Sequence, residues 1–320
     1  MLNVLFTVDV ELWPEKWDLS HKNMKQAFDK DILGKTAHGE YGLPFQVKMF
    51  NDHDIKATFL VETFFSVQMG KESLQDITDI ISEQEQKVEL HLHTEWVDKV
   101  TPNIMSGGER LNIKNFSLEE QTELLSLGLE QLESCNIKDV TTFRAGNYGG
   151  NFDTLKALKK VGLQYDTSYN AAYLGDTCGL HFEKLLMRAV DYDGVIEVPI
   201  SQYEDGFSRR RHIQLNSISF EEIRSLLEQA NKRNLGTFVI VSHSNELLTS
   251  GKNNGDKIVI HRLKKLCQYL SDNPQDYRTC FFDEMDQESI VSDKDEALLK
   301  SGFYSTGKRI LEQGYRRVFS

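Results

Sequence analysis

Residues 2–11 read LNVLFTVDVE, an apolar and β-branched run that ends in two acidic side chains. This composition predicts a buried strand whose alternate side chains face opposite sides of a sheet. With a period of two residues, Thr7, Asp9 and Glu11 share one face. The segment therefore predicts two neighbouring carboxylates at the C-terminal end of a first strand.

A second segment with the same period, VELHLHTEW at residues 88–96, carries two histidines within an apolar run. Alternation places Glu89, His91 and His93 on one face of the predicted strand. Uncompensated polar groups would be costly there, so the histidines are candidate metal ligands. A catalytic zinc site uses about three protein ligands and one open position, which two histidines and one acid would supply.

Helices and strands are predicted to alternate along most of the chain. Further strands are predicted at residues 56–61, 140–144, 163–167, 194–200 and 237–242, with helices at 43–52, 74–84, from 117, from 151 or 153 to 161, at 220–231 and at 257–271. Such alternation indicates an α/β fold with a parallel sheet. We expect a closed (β/α) barrel of about seven parallel strands, with its chemistry at the carboxyl ends of the strands.

Two stretches lie outside this alternation. Residues 13–41 are aromatic and charged and predict a long loop with one helix, which would cover a substrate. Residues 283–320 are charged and less periodic. We therefore expect a single barrel domain over residues 1–282 and a C-terminal extension over 283–320, packed on the barrel or trailing from it.

Composition narrows the class of partner. The 320 residues carry a net charge of −12 and a pI near 5.3, which argues against a nucleic-acid partner. No apolar run reaches membrane-spanning length and the first residues lack an export-signal pattern, so we expect no transmembrane segment and a cytoplasmic location. The four cysteines have no CxxC spacing, which fits reduced thiols.

Short motifs spread over residues 1–248 resemble, in family order, those of the polysaccharide deacetylases with the NodB homology fold. They are TVDVE at residues 7–11, KATF at 56–59, VELHLH at 88–93, FRAG at 143–146, YDTS at 165–168 and VIVSH at 239–243. The resemblance implies a NodB-like barrel and a metal-dependent enzyme that removes acyl groups from amino sugars.

The resemblance also implies roles for individual residues. Asp9 would be the general base, Arg144 would pair with it, and Asp166 would orient the catalytic acid His243. Glu11, His91 and His93 would hold the metal, with Zn²⁺ as the expected ion.

Two departures from the family pattern leave alternatives open for the metal ligands. Val10 separates the two acids that are usually adjacent, so either Asp9 or Glu11 could bind the metal. The family histidines are usually four residues apart, and position 95 holds a glutamate, so Glu95 is an alternative to His93.

The expected reaction is hydrolysis of an N-acetyl or similar acyl group on an amino sugar or a sugar-containing intermediate of surface-polysaccharide biosynthesis. Aromatic residues near the strand ends are candidates to stack on sugar rings: Trp13, Trp17, Trp96 and Tyr148. The alternatives are a hydrolase of cyclic amides or ureides on the same barrel and a non-catalytic carbohydrate-binding protein. The acid/base set of Asp9, Arg144 and His243 favours catalysis, because binding alone would not need it.

Overall fold

The computed structural model describes residues 1–290 and 297–319. Part of the predicted C-terminal extension, residues 291–296 and 320, therefore lies outside the described residues. The strands are β1 Leu2–Val10, β2 Lys35–Thr36, β3 Gly39–Glu40, β4 Ala57–Glu62, β5 Lys87–Leu92, β6 Thr142–Ala145, β7 Tyr165–Asp166, β8 Val190–Tyr192, β9 Val195–Glu197, β10 Gln202–Glu204, β11 Arg210–His212, β12 Thr237–His243, β13 Tyr277–Thr279 and β14 Leu299–Lys300. The helices are α1 His21–Ala27, α2 Leu43–Asn51, α3 Ser66–Met69, α4 Lys71–Ser82, α5 Leu118–Ser134, α6 Phe152–Val161, α7 Phe220–Lys232, α8 Lys257–Asp272 and α9 Phe303–Phe319.

The main sheet contains the seven strands that the sequence predicts, in parallel order β12-β1-β4-β5-β6-β7-β9. β8 adds antiparallel to β9, and β13 pairs with the first residues of β1. The sheet curls into a half-barrel, with apolar side chains of β1, β4 and β5 in its core. The predicted α/β fold with about seven parallel strands is confirmed.

The barrel that the sequence predicts is present as a half-barrel whose two ends are not joined by a strand-to-strand ladder in the described residues. In the described chain the sheet path ends at β12 on one side and passes through β9 to β8 on the other. Between β9 and β12, which we call the seam, an irregular segment around Ile213 makes single hydrogen bonds to both sides. Ile213 N–H donates to the Ser201 carbonyl (2.8 Å), and Val241 N–H donates to the Ile213 carbonyl (3.0 Å). This segment takes the place of a strand-to-strand ladder.

Several crossover helices begin or end at the residues that their sequence indicates, whereas the helix predicted at 74–84 spans Lys71–Ser82. Ser117 and Ser219 close capping boxes at the starts of α5 and α7, and Asn151 caps α6. Gly162 ends α6 in the left-handed conformation (φ 84°), which favours glycine. These local signals fix where each helix returns the chain to the sheet.

The segment after β1 has more structure than the predicted loop with one helix. α1 continues into a π-helical turn at Phe28–Ile32, and β2 and β3 form a small hairpin. Asp31 in the π turn is buried and accepts a hydrogen bond from the Trp13 N–H (2.9 Å). The segment thereby anchors Trp13 beside the end of β1.

The described part of the C-terminal extension contacts the rest of the chain. β14 pairs with β10, and Arg309 of α9 reaches Asp205 (2.8 Å) and Glu222 (3.1 Å). A domain division at residue 282 stays a prediction. Within residues 1–290 and 297–319, the helices are all too short or too polar to cross a bilayer.

Candidate active site

The carboxyl ends of β1, β5, β6 and β12 meet around a cavity of about 400 Å³. Parallel strands bring these ends together, which is why residues far apart in sequence share one site. The lining residues are Asp9, Glu11, Trp13, His91, His93, Ala145, Asn147, Tyr148, Tyr173, Thr177, Gln214 and His243.

The structure brings Glu11, His91 and His93 together. Oε1 of Glu11 lies 3.0 Å from Nε2 of His91 and 3.0 Å from Nε2 of His93. All three ligand atoms lie within 4.8 Å of one another. Both histidines are buried and Glu11 is largely so, which gives a compact set of one carboxylate and two imidazoles.

The other ring nitrogens of the two histidines are held by acceptors on the side away from Glu11. His91 Nδ1–H donates to the Arg144 carbonyl (2.7 Å), and His93 Nδ1–H donates to Glu95 (3.1 Å). Such partners fix the tautomer in which Nε2 can bind a metal. The donor set therefore fits a divalent ion held by Glu11, His91 and His93, with Glu95 as a supporting residue behind His93.

Glu11 and His93 each shift the pKa of the other. Burial by itself would raise the pKa of Glu11 and lower that of His93. Their mutual attraction, together with His91 and His243 at Glu11 and with Glu95 at His93, outweighs burial. The pKa of Glu11 is therefore held well below its usual value and that of His93 well above. A metal ion on Nε2 would replace this proton, so binding is expected to release it.

Asp9 and Arg144 form a buried ion pair beside the cluster. Arg144 Nη1 donates to Asp9 Oδ1 (2.5 Å), Nη2 donates to Thr7 Oγ1 (3.0 Å), and Nε donates to the Thr167 carbonyl (3.1 Å). A buried guanidinium needs such a full set of acceptors. His91 and His93 contact Glu11, while Asp9 belongs with Glu11 and His243 to a second group whose ligand atoms lie within 4.8 Å of one another.

His243 stands next to Asp9 in the β1–β12 register. Its Nε2 lies 3.9 Å from Asp9 Oδ2 and 4.0 Å from Glu11 Oε1. Its Nδ1–H donates to Glu246 (2.8 Å), a buried carboxylate three residues later. Burial lowers the pKa of His243, but the hydrogen bond to Glu246 and the charges of Glu11 and Asp9 prevail and raise it to about 9.

Asp166 does not occupy the place that the resemblance implies. Its Oδ1 accepts a hydrogen bond from Ser168 Oγ (2.7 Å), and it lies opposite Glu197 in the β7–β9 register. Glu246 takes the position against His243 that was expected for Asp166. The sequence offers one signal for this role of Glu246, namely an acid three residues after a histidine at the end of a strand.

The predicted aromatic residues have different positions. Trp13 lines the cavity, donates from Nε1 to Glu11 Oε2 (2.9 Å) and packs edge-on against His93. Tyr148 also lines the cavity and stacks on Tyr173, with 5.6 Å between the ring centroids. Tyr173 lines the cavity as well and was not among the residues predicted from the sequence. The expectation that Trp96 stacks on a sugar is wrong, because its side chain is 0% exposed.

Trp96 instead supports the residues in front of it. It packs behind Trp13 and against Trp17, with ring centroids 6.5 Å and 5.0 Å away. Trp17 lies 5.7 Å from Trp13. The three indoles form one cluster in which Trp13 meets the cavity.

No protein-family model matches the chain, and no curated protein matches it. Among solved structures, a putative polysaccharide deacetylase from Mycobacterium smegmatis aligns with 98% of this chain and 91% of its own, at 14% identity and a TM-score of 0.53. The chain has the fold of the polysaccharide deacetylases.

Other solved structures align less completely or less closely. A 4-alpha-glucanotransferase from Thermococcus litoralis aligns with 88% of this chain and 40% of its own, at 9% identity and a TM-score of 0.52. A family 4 carbohydrate esterase from Streptomyces lividans, in complex with acetate, covers 87% of this chain and 92% of its own at 10% identity, with a TM-score of 0.42. Since the deacetylase fold also aligns with a glucanotransferase, the side chains of the site must decide the reaction.

Proposed function

We propose that the protein is a metal-dependent hydrolase that removes an N-acetyl or similar acyl group from an amino sugar. The observation that supports this most is the convergence of a carboxylate–imidazole set, Glu11, His91 and His93, with an acid/base pair, Asp9 and His243, on one cavity. Metal-assisted hydrolysis of an amide uses both kinds of group.

The metal would be held by the Glu11 carboxylate and by Nε2 of His91 and His93, with Zn²⁺ as the expected ion. When bound, such an ion polarises a carbonyl and acidifies a water molecule. The carbonyl of Arg144 and the carboxylate of Glu95 keep both imidazoles oriented for this task.

Asp9 and His243 would move the protons. Asp9 has one oxygen fixed by Arg144, which leaves Oδ2 on the side of His243 to take a proton from the attacking water. His243, with a pKa of about 9, carries a proton at neutral pH and can donate it from Nε2 to the departing amine. Glu246 holds the opposite nitrogen, so Nε2 is the one that faces the cavity.

The substrate would be an amino sugar or a sugar-containing intermediate of surface-polysaccharide synthesis. Trp13 and the stacked pair of Tyr148 and Tyr173 flank the cavity and offer faces and edges suited to a sugar ring. A cytoplasmic location remains part of this proposal.

Metal content and acyl release together test the proposed function. The purified protein should carry about one transition-metal ion per chain and release acetate from N-acetylated chitooligosaccharides. His91→Ala should lose both the metal and turnover, because it removes a ligand. The matched control is His21→Ala, an exposed histidine on α1, which should retain both.

Three outcomes would contradict the proposal. Full turnover in metal-stripped protein would exclude the metal-dependent scheme. Ring opening of cyclic amides without acetate release would favour the alternative hydrolase. Tight binding of the oligosaccharide with no turnover, in metal-loaded protein, would indicate a binding protein.

A further inference from the structure

The C-terminal helix α9 has its polar side turned toward the protein. Thr306, Arg309, Gln313 and Arg316 share the inward stripe and lie buried or half-buried. Arg309 pairs with Asp205 and Glu222, and Arg316 Nε pairs with Asp256 (2.6 Å). A surface helix normally buries its apolar stripe and exposes its polar one, so this orientation is inverted.

The outward face of α9 is apolar. Phe303, Tyr304 and Leu311 are 73%, 83% and 76% exposed, and Ile310 and Tyr315 lie on the same side. Phe207 of the neighbouring turn, itself exposed, packs against Phe303 at 5.9 Å and extends the patch. Contiguous exposed apolar surface of this kind marks an interaction site.

Large and small residues alternate along the centre of this face. Tyr304, Gly307, Leu311 and Gly314 follow the three-then-four spacing of a helix seam. A Cβ atom added to Gly307 or Gly314 would meet no atom within 4 Å, so both positions are open depressions between the large side chains.

From this pattern we infer that α9 is a homodimer interface, in which the helix pairs antiparallel with α9 of a second copy. A twofold axis at the level of Arg309 would place Tyr304 over Gly314 of the second copy. The same axis would place Leu311 over Gly307 of that copy. One symmetry operation thus fits both large residues into both depressions, as an isologous interface requires.

The size of the patch is sufficient for a stable pair. A covered aromatic side chain buries about 150–250 Å². Reduced to the exposed fractions of 49–83%, the four aromatic and two aliphatic side chains of the patch offer on the order of 600–800 Å² per copy. A stable interface buries about 800 Å² per partner. The patch is close to that value even though its side chains are partly covered already.

Charge favours a protein partner over a lipid surface. Helices that lie on membranes direct free lysine and arginine toward anionic headgroups. In α9, Lys308 pairs with Glu221 in addition to the ion pairs of Arg309 and Arg316, and the chain as a whole carries −12. Three of the four cations of α9 thus stabilise the docked helix, and Arg317 is the exposed one.

The mass of the full chain in solution tests the inference. Sedimentation equilibrium at micromolar concentration should give twice the 36.8 kDa of one chain. Leu311→Lys should raise the dimer dissociation constant on the order of a hundredfold, because a symmetric interface loses two buried leucines. Leu111→Lys, at another exposed leucine (51%), is the matched control and should leave the mass doubled.

A size exchange tests the register. Tyr304→Gly and Gly314→Tyr should each weaken the dimer, by a cavity and by a clash respectively, and the double variant should restore it. A wild-type monomer, or a dimer that Leu311→Lys leaves intact, would overturn the inference. A monomer that binds phosphatidylcholine/phosphatidylglycerol vesicles through Leu311 would assign the patch to membranes, and additive losses in the double variant would exclude this pairing.

Discussion

Two groups of ionisable side chains at the same edge of the sheet have opposite character. Glu11, His91 and His93 join unlike charges around an open cavity. Asp166 and Glu197, two strands further along, join like charges in the interior, and both are fully buried. A polar residue at a strand end therefore indicates either chemistry or a structural contact, and the sign of its neighbour distinguishes them.

The same contrast extends to protonation. Burial first, and then the charge and hydrogen bond of Asp166, raise the pKa of Glu197 well above its usual value, whereas the imidazoles hold the pKa of Glu11 well below. The fold therefore favours the protonated form of Glu197, which hydrogen-bonds Asp166. The first group can hold a cation, whereas the second favours a proton between its two carboxyl groups.

The largest expected effect comes from removing Arg144, whose strand β6 lies between the strands of the two groups, β5 and β7. Arg144→Met leaves Asp9 as a buried charge without its partner, which should lower the free energy of unfolding by about 3–5 kcal/mol. Urea unfolding of the variant and the wild type would measure it. The double variant Asp9→Asn with Arg144→Met should recover part of that loss, because it no longer contains the isolated charge. If Arg144→Met costs no more than a surface substitution, the ion pair is not a structural element of the site.

Much of this arrangement follows from sequence periodicity. Alternation in residues 2–11 and 88–93 predicts which face carries Glu11, His91 and His93, because a strand offers only two directions. The seven strands and the caps Ser117 and Asn151 follow from equally local signals.

Contacts set by tertiary packing could not be predicted in this way. Trp96 occupies a strand-end position suitable for a substrate platform, but Trp13 and Trp17 cover it. Glu246 and Asp166 both lie at or just after the carboxyl end of a strand, so the sequence does not distinguish them as partners of His243. Only the turn after β12 brings Glu246 onto His243. The open seam likewise depends on where Ser201 and Ile213 cross.

A smaller effect separates the two candidate partners of His243. Glu246→Gln should lower kcat by about 10–100-fold, because it removes the negative charge that orients the His243 imidazole and raises its pKa. KM should change little, because Glu246 does not line the cavity. Steady-state kinetics on the acylated oligosaccharide would measure both constants. Asp166→Asn is the matched variant, and its folded fraction should keep the wild-type kcat. The reverse ranking would return the orienting role to Asp166.

The smallest effect is a pH dependence of stability. Because the folded-state pKa of Glu197 is raised, the native protein retains a proton that the unfolded chain releases above its ordinary pKa of about 4.3. The stabilisation from this group is complete below that pH and is lost as pH rises toward the folded-state pKa. Wild type should therefore lose stability relative to Glu197→Gln by up to about 1.4 kcal/mol between pH 5 and pH 6. Unfolding curves at these two pH values would measure the difference, with exposed Glu130→Gln on α5 as a control that should run parallel to wild type. Curves for Glu197→Gln that also run parallel to wild type would mean that the Asp166–Glu197 pair carries no extra proton, and the contrast between the two clusters would then rest on geometry alone.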